Sequence, residues 1–67
     1  KYSDADILSF LPLSAEDSMD PSQIRMKMDQ ADFKLYSGSM FHFIKKAIKD
    51  GLVVRVAHPK GDKFYRV

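Results

Sequence analysis

The chain of 67 residues contains no cysteine, so neither a disulfide framework nor a cysteine-ligated zinc site is possible. This absence favours a reducing compartment. No apolar run approaches the roughly 18–20 residues that a membrane-spanning helix requires, and no signal peptide is visible. Together these absences predict an intracellular protein, cytoplasmic or nuclear, with no membrane partner.

The sequence also lacks any recognisable catalytic or metal-binding motif. Asp4 and Asp6 point to different faces of a helix, and no serine has a histidine and an acid at a recognisable spacing. His42 and His58 have no second metal ligand at helical or hairpin spacing. We therefore expect no enzyme activity, no metal and no other cofactor.

Acidic and basic residues are divided between the two halves of the chain. Residues 1–32 carry a net charge of −4 and residues 33–67 a net charge of +6, which together give the net charge of +2. Short chains also show such clusters by chance, but a basic half indicates an anionic partner or surface. A chain of this length forms one small domain, predicted to span residues 1–67.

Residues 37–51, SGSMFHFIKKAIKDG, show the clearest helical pattern. At 100° per residue the apolar and polar side chains fall on opposite arcs. The apolar arc, predicted to face the core, contains Met40, Phe41, Ile44, Ala47 and Ile48, with Phe43 at its edge. The polar arc contains Gly38, Ser39, His42, Lys45, Lys46 and Lys49. Ser37 is the predicted N-cap and Gly51 the predicted stop of a helix over residues 37–50.

Two shorter helices are predicted before this one. Ser3 is a suitable N-cap for a helix over residues 4–11, which ends at Pro12. The loop that follows, residues 12–20, contains two apolar side chains that are candidates for the core. These are Leu13 and Met19.

The second helix has a strong start signal. Asp20 suits the N-cap, Pro21 suits the first helical position, and Gln23 completes a capping box. We expect this helix to end near Asp29, with Met26 at the edge of the core. Residues 30–36 alternate in polarity and allow a short extended piece.

After Gly51 the pattern changes to that of β-strands. The β-branched stretch LVVRVA predicts a strand at 52–57, and KFYRV predicts a second at 63–67. Residues 58–62 contain proline and glycine and predict the turn between them. The predicted fold is therefore α+β, with a three-helix bundle followed by a C-terminal β-hairpin.

This order of elements resembles the winged-helix superfamily, a group of DNA-binding domains. The resemblance is carried by the run from Met40 to Arg55, which includes FIKKAIKDGLVVRV, and by the hairpin that closes at Phe64 and Tyr65. An amphipathic helix followed by Asp-Gly-Leu-Val and a basic strand is similar to the recognition helix and first wing strand of many winged-helix regulators.

The resemblance implies a double-stranded DNA partner, with the helix 37–50 in the major groove and the hairpin 52–67 on the backbone or minor groove. Carried over by position, the implied DNA-binding residues of the helix are Ser37, Ser39, His42, Lys45, Lys46 and Lys49. Those of the hairpin are Arg55, Lys60, Lys63 and Arg66, with His58 beside them.

Two features depart from the family pattern. Residues 30–36 make a longer connection than the tight turn of a standard helix-turn-helix. The third helix has no arginine, the residue that most often reads guanine, so its lysines are better suited to phosphate contacts than to base reading.

The sequence therefore predicts a DNA-binding domain of a transcription regulator or of a replication or mobile-element protein. The lysine-rich arc has no acid before Asp50, whereas an arc that serves only solubility usually mixes signs. The alternative is a winged-helix protein-interaction module in a larger complex, with a partner bound near Phe43 and Met26. The first residue, Lys1, is consistent with a piece of a longer chain, and self-association and the target site are left open.

Overall fold

A computed structural model of the protein describes residues 2–67, so that Lys1 of the predicted domain lies outside the described residues. The elements, in chain order, are α1 (Asp4–Leu8), α2 (Pro21–Gln30), α3 (Ser37–Lys49), β1 (Val53–Val56) and β2 (Lys63–Arg66). The two strands form an antiparallel hairpin after the helices. The predicted α+β order of three helices followed by a hairpin is confirmed.

Helix α2 begins with the capping box predicted for it, and helix α1 begins at the predicted N-cap, Ser3. In α2 the Asp20 Oδ1 atom accepts from the Gln23 N–H at 2.8 Å, while Gln23 Oε1 accepts from the Asp20 N–H at 3.0 Å. Ser3 and Asp6 form the same pair of bonds at the start of α1. α1 ends at Leu8, earlier than predicted, and α2 extends to Gln30.

The start of α3 differs from the prediction, whereas its end agrees with it. The N-cap is Tyr36, with no side-chain hydrogen bond, and Ser37 is the first helical residue. The predicted Ser37 cap is wrong because the Tyr36 carbonyl already accepts the first helical bond, from the Met40 N–H at 3.0 Å. Gly51 has φ +77° and ends the helix as predicted, since this left-handed conformation favours glycine.

The core lies between the three helices and the hairpin. Its buried side chains are Ile7, Leu11, Met19, Ile24, Met28, Met40, Ile44, Ala47 and Val53. The predicted core face of α3 is confirmed except at Phe41, which is 53% exposed. Phe43 packs partly buried against the core instead. The buried arc of α3 is therefore rotated towards Phe43 and away from Phe41.

Strand β2 has hydrogen-bond partners on both of its edges. One edge pairs with β1 over four residues, from Val53 opposite Arg66 to Val56 opposite Lys63. On the other edge Met19 and Phe64 exchange two backbone bonds of 3.0 and 2.8 Å. Met19 thus returns to the core as predicted.

The other apolar candidate of the loop, Leu13, is 68% exposed and does not reach the core. Residues 31–36 form a turn followed by irregular chain that pairs with no strand, and Tyr36 at its end is extended. Asp32 there has φ 55°, and the Phe33 N–H donates to the Met28 carbonyl at 2.8 Å, so this connection folds back on the end of α2.

Candidate functional site

The exposed side of α3 carries a shallow hollow lined by four basic or titratable side chains. These are His42, Lys45, Lys46 and Lys49, and the hollow has a volume of about 270 Å³. No carboxylate lines it. Across residues 2–67 none of the three lysines lies within ion-pair distance of an acid. Their charges are therefore available to an anion in solution.

Helical spacing arranges the exposed residues of α3 in two parallel ridges. Residues four apart stack along one face of a helix, so Ser37, Phe41, Lys45 and Lys49 form the first ridge. The neighbouring ridge consists of Gly38, His42 and Lys46. Ser39 lies beside this second ridge and is exposed. The structure therefore brings all six predicted residues of α3 to its exposed side.

Phe41 is the feature of this surface that sequence reasoning missed. Its ring lies on the first ridge, between Ser37 and Lys45, and it lines a hollow of about 430 Å³ between α2 and α3. Met26, from α2, lines the same hollow and is 58% exposed, more than the edge position predicted for it. The available signal was the position of Phe41 at one end of the apolar arc, opposite to Phe43.

The hairpin presents its cations in a different way. Arg55 forms an ion pair with Asp62 across the hairpin, at 3.5 Å between Nη1 and Oδ2. Lys60 is exposed at the tip, where the His58 Nδ1 atom accepts from its backbone N–H at 3.2 Å. Lys60 also lines a hollow of about 440 Å³ with Phe41 and the start of α2. The tip is therefore close to the first ridge of α3.

The two cations of β2 are both half-buried. Lys63 lines a hollow with Glu16 and Asp17 from the loop before α2. Arg66 donates its backbone N–H to the Pro12 carbonyl at 2.8 Å. Its Nε atom is buried and has no hydrogen-bond partner among the described residues. These two predicted site residues thus lie beside the first part of the chain, in settings that lower their access to a large anion.

The long connection before α3 is fixed by contacts to α2 and to the N-terminal segment. The Arg25 guanidinium donates to the Leu35 carbonyl and also lies 3.9 Å from an Asp29 carboxylate oxygen. The Tyr2 and Phe33 rings have centroids 3.9 Å apart, and the Tyr2 hydroxyl accepts from the backbone N–H after Phe33 at 3.2 Å. These contacts hold the connection that leads into α3 against α2 and the N-terminal segment.

Other kinds of site are not found in the part of the chain that the structure describes. Residues 2–67 contain no group of three or more histidine and acidic side chains that gather around a metal position. None of the described helices is both long enough and apolar enough to cross a membrane. Comparison of the chain with protein-family models, with curated proteins and with solved structures finds no match.

Proposed function

We propose that this chain is a winged-helix domain that binds double-stranded DNA, with α3 in the major groove and the hairpin towards the backbone. The observation that carries the proposal is the hollow on α3 formed by His42 and three lysines without any carboxylate. A DNA-binding part of a transcription regulator, or of a replication or mobile-element protein, is the proposed setting, in the cytoplasm or nucleus.

The dimensions of α3 support this proposal. Its 13 residues give a helix about 20 Å long and roughly 10–12 Å wide with side chains, and the major groove of B-DNA is about 12 Å wide. The first turn contains only small side chains on its exposed side, Ser37, Gly38 and Ser39. Small side chains allow the helix backbone to approach base edges closely, which is where recognition helices make their sequence-specific contacts.

The charges of α3 support phosphate contacts by its second half and base contacts by its first half. Lys45, Lys46 and Lys49 lie in its second half and suit phosphate oxygens, which supply most of the affinity of DNA-binding proteins. Ser39 and His42 lie earlier and suit base edges. Sequence preference then comes from a few base contacts together with DNA shape.

The experiment that tests the proposal is fluorescence anisotropy with a random-sequence duplex at several salt concentrations. We expect a dissociation constant of roughly 10⁻⁴–10⁻⁶ M, typical of non-specific binding, that weakens steeply as salt increases. Lys27→Ala serves as a control because it removes one positive charge, as a single lysine variant of α3 does, but from outside α3. Lys27 lines the hollow that also contains Glu16 and Asp17, so this variant should bind the duplex nearly as the parent does. Absence of binding at low salt would refute the proposal.

A protein-interaction module is the second candidate, and the hollow between α2 and α3 favours it. Met26 and Phe41 are both more than half exposed there, and exposed large apolar side chains are typical of protein interfaces. Phe43 is half-buried, so this patch replaces the one expected near Phe43. In this candidate the chain does not bind DNA, and the lysines form the rim of a protein contact.

A further inference from the structure

We infer that Phe41 reads the 5-methyl group of thymine in the major groove, an inference that rests on the proposed function. Phe41 is the only large apolar side chain of α3 that the structure leaves more than half exposed among residues 2–67. The other exposed side chains of this helix are small, basic or imidazole groups. An apolar ring on such a surface is covered most favourably by an apolar group of the partner.

The position of Phe41 places it within any contact that α3 makes through its first ridge. Ser37, Phe41 and Lys45 follow one another at intervals of four residues along the same side of the helix. A duplex that contacts both Ser37 and Lys45 therefore covers the ring between them. The ring lies in the first half of α3, the part of a recognition helix that faces base edges.

The chemistry of the major groove then selects the partner group. Base edges there present hydrogen-bond donors and acceptors, and the 5-methyl group of thymine is the apolar exception. Covering Phe41 with a polar base edge removes water from that edge without returning a hydrogen bond, which is unfavourable. Covering it with a thymine methyl buries apolar surface on both sides. Pro21 and Met26 line the adjoining hollow and extend this apolar surface towards α2.

The test uses the full 67-residue chain and needs no assumption about its target. A preferred duplex is first selected from a random pool, and each thymine is then replaced singly by deoxyuridine, which lacks only the methyl group. We expect a loss of about fourfold in affinity at one or two thymines, the effect of about one buried methyl group. Replacing the other thymines should have little effect.

Two variants connect this loss to Phe41. Phe41→Ala should remove the difference between thymine and deoxyuridine while leaving the dependence on salt unchanged, because the lysines are intact. Leu13→Ala truncates another exposed apolar residue, on the loop before α2, and should keep the difference. Circular dichroism checks that both variants fold, and the deoxyuridine comparison in the parent chain needs no variant at all.

The outcomes separate the inference from the function on which it rests. Salt-dependent binding with equal affinity for thymine and deoxyuridine at every position overturns the role of Phe41 and leaves DNA binding in place. A thymine preference that survives in Phe41→Ala assigns the methyl contact to another residue and also overturns it. Failure to bind any duplex, even at low salt, overturns both, and points to a protein partner for the Met26 and Phe41 hollow.

Discussion

Helix α3 and the β-hairpin carry similar numbers of cations but expose them very differently. On α3 the three lysines and His42 share one hollow that no carboxylate lines. On the hairpin Arg55 is paired with Asp62, and Lys63 lies beside acidic residues of a preceding loop. The arrangement of basic residues, more than their number, therefore determines which surface can attract a polyanion.

The two kinds of secondary structure explain this difference. A helix brings residues three and four apart to one side, so Lys45, Lys46 and Lys49 gather. A strand points successive side chains to opposite faces, so cations that are neighbours in a strand do not gather on one side. β2 is also bonded along both edges, so its side chains have chain on either side and Lys63 and Arg66 become half-buried.

The largest effect should come from removing all three lysines of α3. Each phosphate contact gives about eightfold in affinity at 0.1 M salt, so Lys45→Ala, Lys46→Ala and Lys49→Ala together should weaken duplex binding about 500-fold. The salt slope should decrease by about three. The measurement is anisotropy over a salt series, with thermal unfolding as a check that the fold is retained.

The matched control for this triple variant removes three charges from the hairpin, at Arg55, Lys60 and Lys63. Because one of these cations is paired and another lies beside acids, we expect a clearly smaller loss than in the α3 triple variant. Equal losses in the two triple variants would contradict the comparison and would make the hairpin an equal part of the interface.

One lysine substitution on α3 and one on the hairpin test the same comparison with a smaller expected loss of affinity. Lys46→Ala should weaken binding about eightfold at 0.1 M salt and lower the salt slope by about one. Lys63→Ala removes the same charge from a half-buried position and should change both quantities much less. The two variants are compared on the same duplex in one salt series, and a larger effect at Lys63 would refute the ranking.

The smallest expected effect is a gain in affinity. Asp62→Ala removes the partner of Arg55 and so frees the exposed guanidinium of that residue. Affinity should increase, by at most the roughly eightfold that one phosphate contact provides at 0.1 M salt. An exposed ion pair stabilises a fold by only about 0–1 kcal/mol, so thermal unfolding should change little. Unchanged affinity would show that Arg55 does not approach the duplex.

Local patterns in the sequence were sufficient for much of the fold and for the lysine side of α3. The Ser3 N-cap and the Asp20 capping box depend on side chains within one helical turn, which sequence spacing reveals directly. The same is true of the helical phase that separates Lys46 from Ile44. These features need no knowledge of distant parts of the chain.

The features that the sequence did not predict depend on how elements meet. An apolar arc does not specify which of its ends is covered by the rest of the chain. Phe41, assigned to the core, is therefore exposed, while Phe43, placed at the edge, packs half-buried against the core. The ion pair of Arg55 depends on the conformation of the hairpin turn. The β-bridge of Met19 with Phe64 joins residues that are distant in the chain, and no local pattern contains it.

The hydrogen bonding of β2 along both of its edges also has a consequence for the order in which the chain folds. The hairpin closes a short loop, but the bonds from β2 to Met19 and Pro12 close loops that contain most of the described residues. Such closures lose more chain entropy and form more slowly than contacts within a helix. We therefore expect a slower folding rate than in a purely helical bundle of this size. Residues 2–20 would join the core in the same late step that completes the sheet.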